Sequence, residues 1–563
     1  MKSIIKFDKN ILFIVCIGFF IYANFLFNNF VWDDSFQIVQ NYLIYSLKNI
    51  PSLFTLGQGN YFYRPVTFTL LTIIYSFFGP NVFFFHIVQL IIHILNALLV
   101  YKIFQKFFKK QLSFFLSLIF LIHPINAEAV NFMSAICDPL AVFFGLSAFY
   151  LMMREKISRK IFISSALLIL LALFSKESAI LLLIIIVVYN WFILKRSYSK
   201  LLIFASVPLS IYLFFRFFVA HIFFEKTATV PIGEVSLVIR LITLPKIFFF
   251  YVSNFFVPVQ LAIAQHWIVR AVNVKDFYFP LIIDFLFLLS LVSVGIFIYR
   301  NHKKLFFAFL FFSFWFLISI SLYSQIISLD MTVAERWFYL PIIGLLGIFG
   351  VVAQTIKLQN LKLKSVLTVI MLFIFIVFSL RTIVRNTNWY DQLTLNIHDE
   401  QINKDSWNIE ANIAAELLLR GQYDTSLPYA EKSVQLETRC VNCWTILGTI
   451  YFMKKEYKKA DVFLLKAIKI DDHFYPSYYF LVYDYLLIED FGSAKKWSKE
   501  ALKKFPENEF FLQFLAIAEY NLGNKNRALQ LATQLVDSDQ SPQNKQILQT
   551  IKNNLSLKVN DIH

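Results

Sequence analysis

The chain reads as all-helical: a polytopic membrane domain of about eleven spans over residues 1–385, then an α-solenoid. Three observations predict this. Apolar residues fill 58% of the 563 positions and charged residues only 16%, with 67 phenylalanines and a mean hydropathy of +0.63. Soluble domains run at roughly 45–50% and about 25%. That much apolar surface needs lipid as its solvent, which excludes a cytosolic enzyme, a secreted disulfide scaffold and a disordered protein. Second, apolar runs alternate with basic loops up to about residue 383. Third, a 34-residue period takes over beyond residue 385.

In chain order, spans are expected near 11–30, 82–104, 111–123, 137–153, 160–174, 178–194, 200–220, 281–299, 304–322, 338–356 and 365–383. Several fall short of the ~20 residues that cross a bilayer. They need tilt, local thinning or broken helices at the outer face. Basic clusters mark alternate loops: Lys2/Lys6/Lys9, Lys106/Lys109/Lys110, Arg154/Lys156/Arg159/Lys160, Lys195/Arg196/Lys200, Arg300/Lys303/Lys304 and Lys357/Lys362/Lys364. The positive-inside rule makes these cytoplasmic, the N-terminus with them. No small-residue cleavage site follows the first apolar run, so it is expected to remain as an anchor.

Acids sort to the opposite side. Asp33, Asp34, Glu128, Asp138, Glu177, Glu225, Asp276, Asp330 and Glu335 fall in or beside external segments, and Glu155 alone sits in a short cytoplasmic loop between spans. Orientation does not require this, because acids contribute little to topology. A polar external site does. Two further apolar stretches, 66–79 and 237–257, must begin and end outside for the charges to alternate. They are expected to lie in the outer interface and shape a cavity.

The net charge of +16 divides unevenly. Residues 1–390 carry 32 Lys and Arg against 13 Asp and Glu, while 391–563 carry 20 against 23. The excess is therefore cytoplasmic-loop charge, and no nucleic-acid partner is expected. Cys16 and Cys137 lie in apolar runs, where a small buried hydrophobe is the default. Cys440-x-x-Cys443 lacks a second pair or a histidine at metal spacing, so zinc is not expected. The pair is expected to be structural or idle, not redox-catalytic, and an oxidising exterior would allow it a local disulfide.

After a linker expected over 386–406, Tyr423, Tyr457 and Phe491 recur every 34 residues. So do Ser426, Ala460, Ala494 and Ala528, and Ser433, Ala467 and Ala501. Trp444-x-x-Leu447-Gly448-x-x-Tyr451 heads the best copy and Pro506 closes the next; Ala414 and Leu535 mark degenerate outer copies. The period resembles the tetratricopeptide repeat: about four copies over 407–542 within a domain of 407–556, a capping helix near 543–556 and a tail over 557–563. Such repeats take peptides or partner proteins on a concave face, although any single aromatic here can equally be groove packing.

The external segments of the membrane half carry the chemistry. Phe30-Val31-Trp32-Asp33-Asp34-Ser35 follows the first span, and paired acids there can act as general base and orienter. Further on come Tyr63-Arg64-Pro65, His86 and His93 seven apart on one helical face, and His123-Pro124-Ile125-Asn126-Ala127-Glu128-Ala129-Val130. Asp138, Ser175-Lys176-Glu177-Ser178 and Ala334-Glu335-Arg336-Trp337-Phe338-Tyr339-Leu340-Pro341 complete the set. The two span histidines fit interhelical hydrogen bonds. Arg64, Lys176 and Arg336 suit a phosphate if they converge. If they scatter, they are interfacial anchors.

This ordered set, followed by the repeats, resembles the transmembrane-and-tetratricopeptide O-mannosyltransferase-like proteins, which are GT-C glycosyltransferases related to the protein O-mannosyltransferases. The resemblance covers nearly the whole chain. It implies a multi-span enzyme in the bacterial inner membrane, or the endoplasmic reticulum membrane of a eukaryote. Such an enzyme takes a sugar from a polyprenyl-phosphate donor and gives it to a hydroxyl of a protein or other acceptor on the exoplasmic side, where the repeats also lie. Asp33 and Asp34 match the acidic motif that engages the acceptor hydroxyl, and Arg64 matches the Tyr-Arg-Pro arginine. His123, Glu128, Lys176 and Arg336 match positions expected to line the donor site. Two departures matter: Asp-Asp stands where the sister enzymes have Asp-Glu, leaving open which carboxylate is the base, and Asn126 stands where a second histidine is common. The implied step is one inverting displacement. It requires no cofactor and does not strictly need a metal, because protein cations hold the departing lipid phosphate. A membrane-anchored repeat scaffold explains the repeats but not the one-sided acids. A transporter would show paired broken helices or internal duplication.

Overall fold

A computed structural model describes residues 8–57, 62–223, 231–263, 265–356 and 361–561. Lys2, Lys6, Glu225 and Lys357 lie outside the described residues. Among the described residues there is no β-strand, and the chain forms two compact units, Met1–Ile402 and Asn403–His563.

Every expected span of the first unit is helical. Among the described residues, seven helices are long and apolar enough to cross a membrane, or eight with the bent pair Lys110–Ile122 and Pro124–Asn131 taken as one span. Length and composition alone therefore do not reach eleven; the remaining expected spans are shorter helices such as Ile180–Val188 and Pro341–Thr355. The central helix is Met133–Met152, which buries 72% of its most apolar window. Val274–Asn301 buries 17% and turns its leucines and phenylalanines outward to lipid. Pro341–Thr355 packs directly on Lys303–Ser321. A Cβ on Gly344 would stand 2.6 Å from the Phe316 backbone nitrogen, so only glycine permits that approach.

The two stretches expected in the interface are helices Pro65–Phe78 and Leu237–Phe256. The second is long enough to cross, and hydrogen bonds tie both of its ends to one connection. Arg240 near its start donates to the carbonyls of Gln325 and Ile326, and Tyr251 donates to that of Ala334. Beyond its end, the Thr332 amide donates to the Gln265 carbonyl. All four partners belong to the 322–340 connection between two adjacent spans. Pro65–Phe78 is likewise held at both ends. Thr67 donates to the Ser175 carbonyl, and Phe78 stacks on Phe84 at the start of the next span.

The expected linker is not one. The last span, Leu361–Asn388, runs past its expected end, and a helix follows at Gln392–Ile402 with Leu395, Asn396 and Asp399 buried in the membrane unit.

The second unit is four helical hairpins and a cap: Trp407–Leu419 with Tyr423–Leu436, Val441–Met453 with Tyr457–Ile470, Tyr475–Leu487 with Phe491–Lys504, Glu509–Asn521 with Lys525–Ser538, then Pro542–Lys552. Ser426, Ala460, Ala494 and Ala528 are buried where each pair touches. At Gly448 a Cβ would lie 2.8 Å from Leu464, which explains the glycine of the best copy. Cys440 and Cys443 form the expected local disulfide, and Cys440 also caps the helix that follows. A Cys440→Ser/Cys443→Ser chain is expected to keep its repeats, because serine also caps well. Closing so short a loop contributes at most about 2 kcal/mol. A thermal melt and an activity assay of the double variant check this.

Candidate active site

The candidate residues gather at one end of the membrane unit, on the connections between helices. Trp32 holds a left-handed backbone (φ 53°), uncommon for a bulky residue. Its amide donates to the Gln392 side chain of the helix after the last span. This turn separates the roles of the two aspartates that follow. Asp34 is fully buried: the Ser134 hydroxyl and amide donate to Oδ1 at 2.6 and 2.7 Å, and the Val31 amide to Oδ2 at 3.1 Å. Burial pushes its carboxyl up to about 7 against these three donors. Asp33 is open to solvent, with the Arg336 and Asp330 charges in range. Surrounding protein raises its pKa above the ordinary carboxylate value, and Arg336 offsets part of that rise.

The three cations converge. Lys176 Nζ lies 2.6 Å from both oxygens of Asp138, each side chain more than nine-tenths buried. Arg64 forks onto Glu177, Nε to Oε2 at 3.0 Å and Nη2 to Oε1 at 2.6 Å, and its third nitrogen approaches Cys137 Sγ at 3.5 Å. Arg336 pairs with Glu128 through its guanidinium, and its amide reaches the same carboxylate at 3.2 Å. Asp138 ties the three together, because its charge acts on Arg64 and Arg336 and it holds Lys176 directly. Asp138, Ser178, Tyr323, Arg336, Trp337 and Tyr339 line one small cavity.

His123 is not brought to this cavity. Its Nε2 bonds the Phe255 carbonyl at 2.9 Å, its Nδ1 accepts from the Ile125 amide, and its ring packs between Phe255 and Phe378. With no exposed surface it braces the break in the bent span. His86 and His93 match the interhelical expectation: Nε2 of His86 bonds the Asn28 carbonyl, and His93 bonds Tyr339 and the Leu121 carbonyl.

Next in sequence to Arg336, Glu335 belongs to a buried trio of which the motifs marked only this acid. Arg385, at the end of the last span, reaches Glu335 at 2.8 Å, and Asp399 lies 3.9 Å away; all three are fully buried. Burial pushes the Glu335 carboxyl up, and the Arg385 charge beside it holds part of that rise back. Asp399 also accepts from the Ile263 amide at 2.7 Å. A signal was present, since Arg385 and Asp399 are charges within or just after an apolar span.

No family model matches the chain. A protein O-mannosyl-transferase of Caenorhabditis elegans is 24% identical over 163 residues, 26% of this chain and 23% of that protein. The human protein O-mannosyl-transferase TMTC3 is 27% identical over 157 residues, 26% of this chain and 17% of that protein. The chain is similar to the transmembrane-and-tetratricopeptide O-mannosyltransferase-like proteins. The aligned part spans less than a quarter of the length of these curated relatives. Among solved structures, YrrB, described as a TPR protein with an unusual peptide-binding site, matches 28% of this chain and 84% of its own at 18% identity and a TM-score of 0.25.

Proposed function

We propose that the membrane unit is a glycosyltransferase that moves a sugar, mannose by the names of its relatives, from a polyprenyl-phosphate donor to a hydroxyl of an exported polypeptide. The reaction takes place on the exoplasmic face, with the N-terminus in the cytoplasm. One observation carries this reading: a solvent-open carboxylate, Asp33, stands within the field of Arg336, which itself belongs to a buried cluster of three cations. Asp33 takes the acceptor proton as the oxygen attacks the anomeric carbon, and the bond to the lipid phosphate breaks on the opposite face. Charge on the departing phosphate grows through the step, so a cation fixed beside it stabilises the transition state more than the ground state. Asp34 holds the loop and leaves the chemistry to Asp33. The repeats present the acceptor chain.

In this arrangement Arg336 and Arg64 differ. Nε and Nη2 of Arg64 are taken by Glu177 and Nη1 faces Cys137, whereas Arg336 borders the cavity. Arg336→Lys is therefore expected to lower kcat by about a hundredfold, through loss of a planar fork that an ammonium cannot copy. Arg64→Lys, which keeps a charge opposite Glu177, is expected to lose no more than about tenfold. Purified protein given polyprenyl-phosphate mannose and an acceptor peptide tests both the activity and the ranking. Absence of transfer by folded wild-type protein across a panel of polyprenyl-phosphate sugars would overturn the proposal.

A further inference from the structure

After the cap Pro542–Lys552 the chain turns at Asn554, left-handed at φ 55°, and runs back over the repeats. Residues 555–558 form no helix. Tyr520 Oη donates to the Leu555 carbonyl at 2.9 Å and Asn521 Nδ2 to the Leu557 carbonyl at 2.9 Å. Burial alternates along the segment: Leu557 and Val559 are 1% and 2% exposed, while Ser556, Lys558 and Asn560 face solvent. Lys558 also pairs with Glu489 at 2.9 Å, and Val559–Asp561 packs on helix Tyr475–Leu487.

The helix that supplies Tyr520 and Asn521 leads into an aromatic face. Phe510, Phe514, Ile517 and Asn521 follow a 4-3-4 spacing on one side of Glu509–Asn521. Phe514 packs on Tyr479 and Tyr483 of the preceding repeat, and Tyr483 packs on Phe452 of the one before. Phe514 and Ile517 are fully buried, while Tyr479 and Tyr483 are half-buried and Phe510 is 40% exposed, so only the rim of this face reaches solvent.

We propose that this face is a docking groove for an extended peptide with apolar residues two apart, and that Leu555–Val559 occupies its end as a built-in competitor. The inference rests on reading the repeats as a peptide-binding surface, not on the glycosyl-transfer reading. The tail displays the recognition chemistry directly. Two side chains bind main-chain carbonyls, which every residue supplies, and two buried apolar side chains give the only selection. A groove of this kind accepts many unfolded segments. Because the tail is tethered, its effective concentration reaches the millimolar range, so an incoming segment must outcompete it.

The test uses the full chain in detergent micelles and, as probe, a labelled synthetic peptide of residues 553–561. A chain truncated after Asn554 is expected to bind this peptide at least about tenfold more tightly than the intact chain. The peptide carrying Leu557→Asp and Val559→Asp is expected not to bind. Lys558→Glu in the intact chain, which sets like charges opposite each other at Glu489, is expected to tighten binding severalfold while leaving the buried contacts in place. Equal affinity for intact and truncated chains, or no binding to truncated protein whose repeats stay protected in hydrogen exchange, overturns the proposal. So does unfolding of the truncated repeats together with unchanged binding by Lys558→Glu, which makes the tail a structural cap. Sugar transfer assayed on the same chains reports the catalytic reading separately.

Discussion

Asp33→Asn is expected to abolish sugar transfer, lowering kcat by about a thousandfold or more, as removal of a positioned general base does when nothing nearby replaces it. Expression and thermal stability should stay near wild type, because Asp33 is solvent-open. Asp34→Asn should show the converse. An amide keeps one oxygen for the Ser134 donors but turns an NH2 group toward the Val31 amide. That places donor against donor and costs about 1–3 kcal/mol. The pair of variants thus separates proton transfer from architecture.

The wild-type pH profile follows from the same geometry. Asp33 acts only when ionised, and its pKa is raised above the ordinary carboxylate value. kcat/KM should therefore fall as the pH drops through that raised pKa and level off above it. A profile flat down to pH 4, or transfer retained by Asp33→Asn, would remove Asp33 from the mechanism.

The second large effect is on stability. Arg385→Met is expected to cost about 3–5 kcal/mol, because it strips the cation from two buried acids, Glu335 and Asp399. The damage comes from what is left behind, not from a favourable pair lost. Adding Glu335→Gln to Arg385→Met should accordingly recover part of the loss, since the neighbours share one network and their effects do not add. Thermal melts of the single and double variants in one detergent measure this. A double variant as unstable as the sum of the singles would mean the two residues act independently.

Much of this architecture was legible because it is local. Helix Val82–Phe104 matches its expected range residue for residue: Asn81 caps it after a Gly-Pro break, and one apolar run carries it to the basic loop. The repeats were legible because packing two helices at close range demands a small residue every 34 positions. The segment after Asn388 was not. Its apolar density falls, which reads as a linker, yet its work is done by polar residues whose partners are remote in sequence, such as Gln392 with Trp32 and Asp399 with Ile263. The site divides the same way. The motifs marked all three cations, but their acids lie 113, 38 and 208 positions away. Only the folded chain shows that each cation already has a partner, and that His123 is held in packing between Phe255 and Phe378.

The bend of 49° at His123 also constrains how the protein is made. Breaking the helix frees peptide carbonyls at a depth where water is scarce. Phe120 is answered by Asn126, and Leu121 by Tyr22 and His93. Ile122 is answered by the Thr382 hydroxyl, which the ribosome adds 260 residues later. Before helix Leu361–Asn388 is in place, the Ile122 carbonyl thus lacks this donor. Only that helix brings the Thr382 hydroxyl to it, so the first and last parts of the unit are joined at the break.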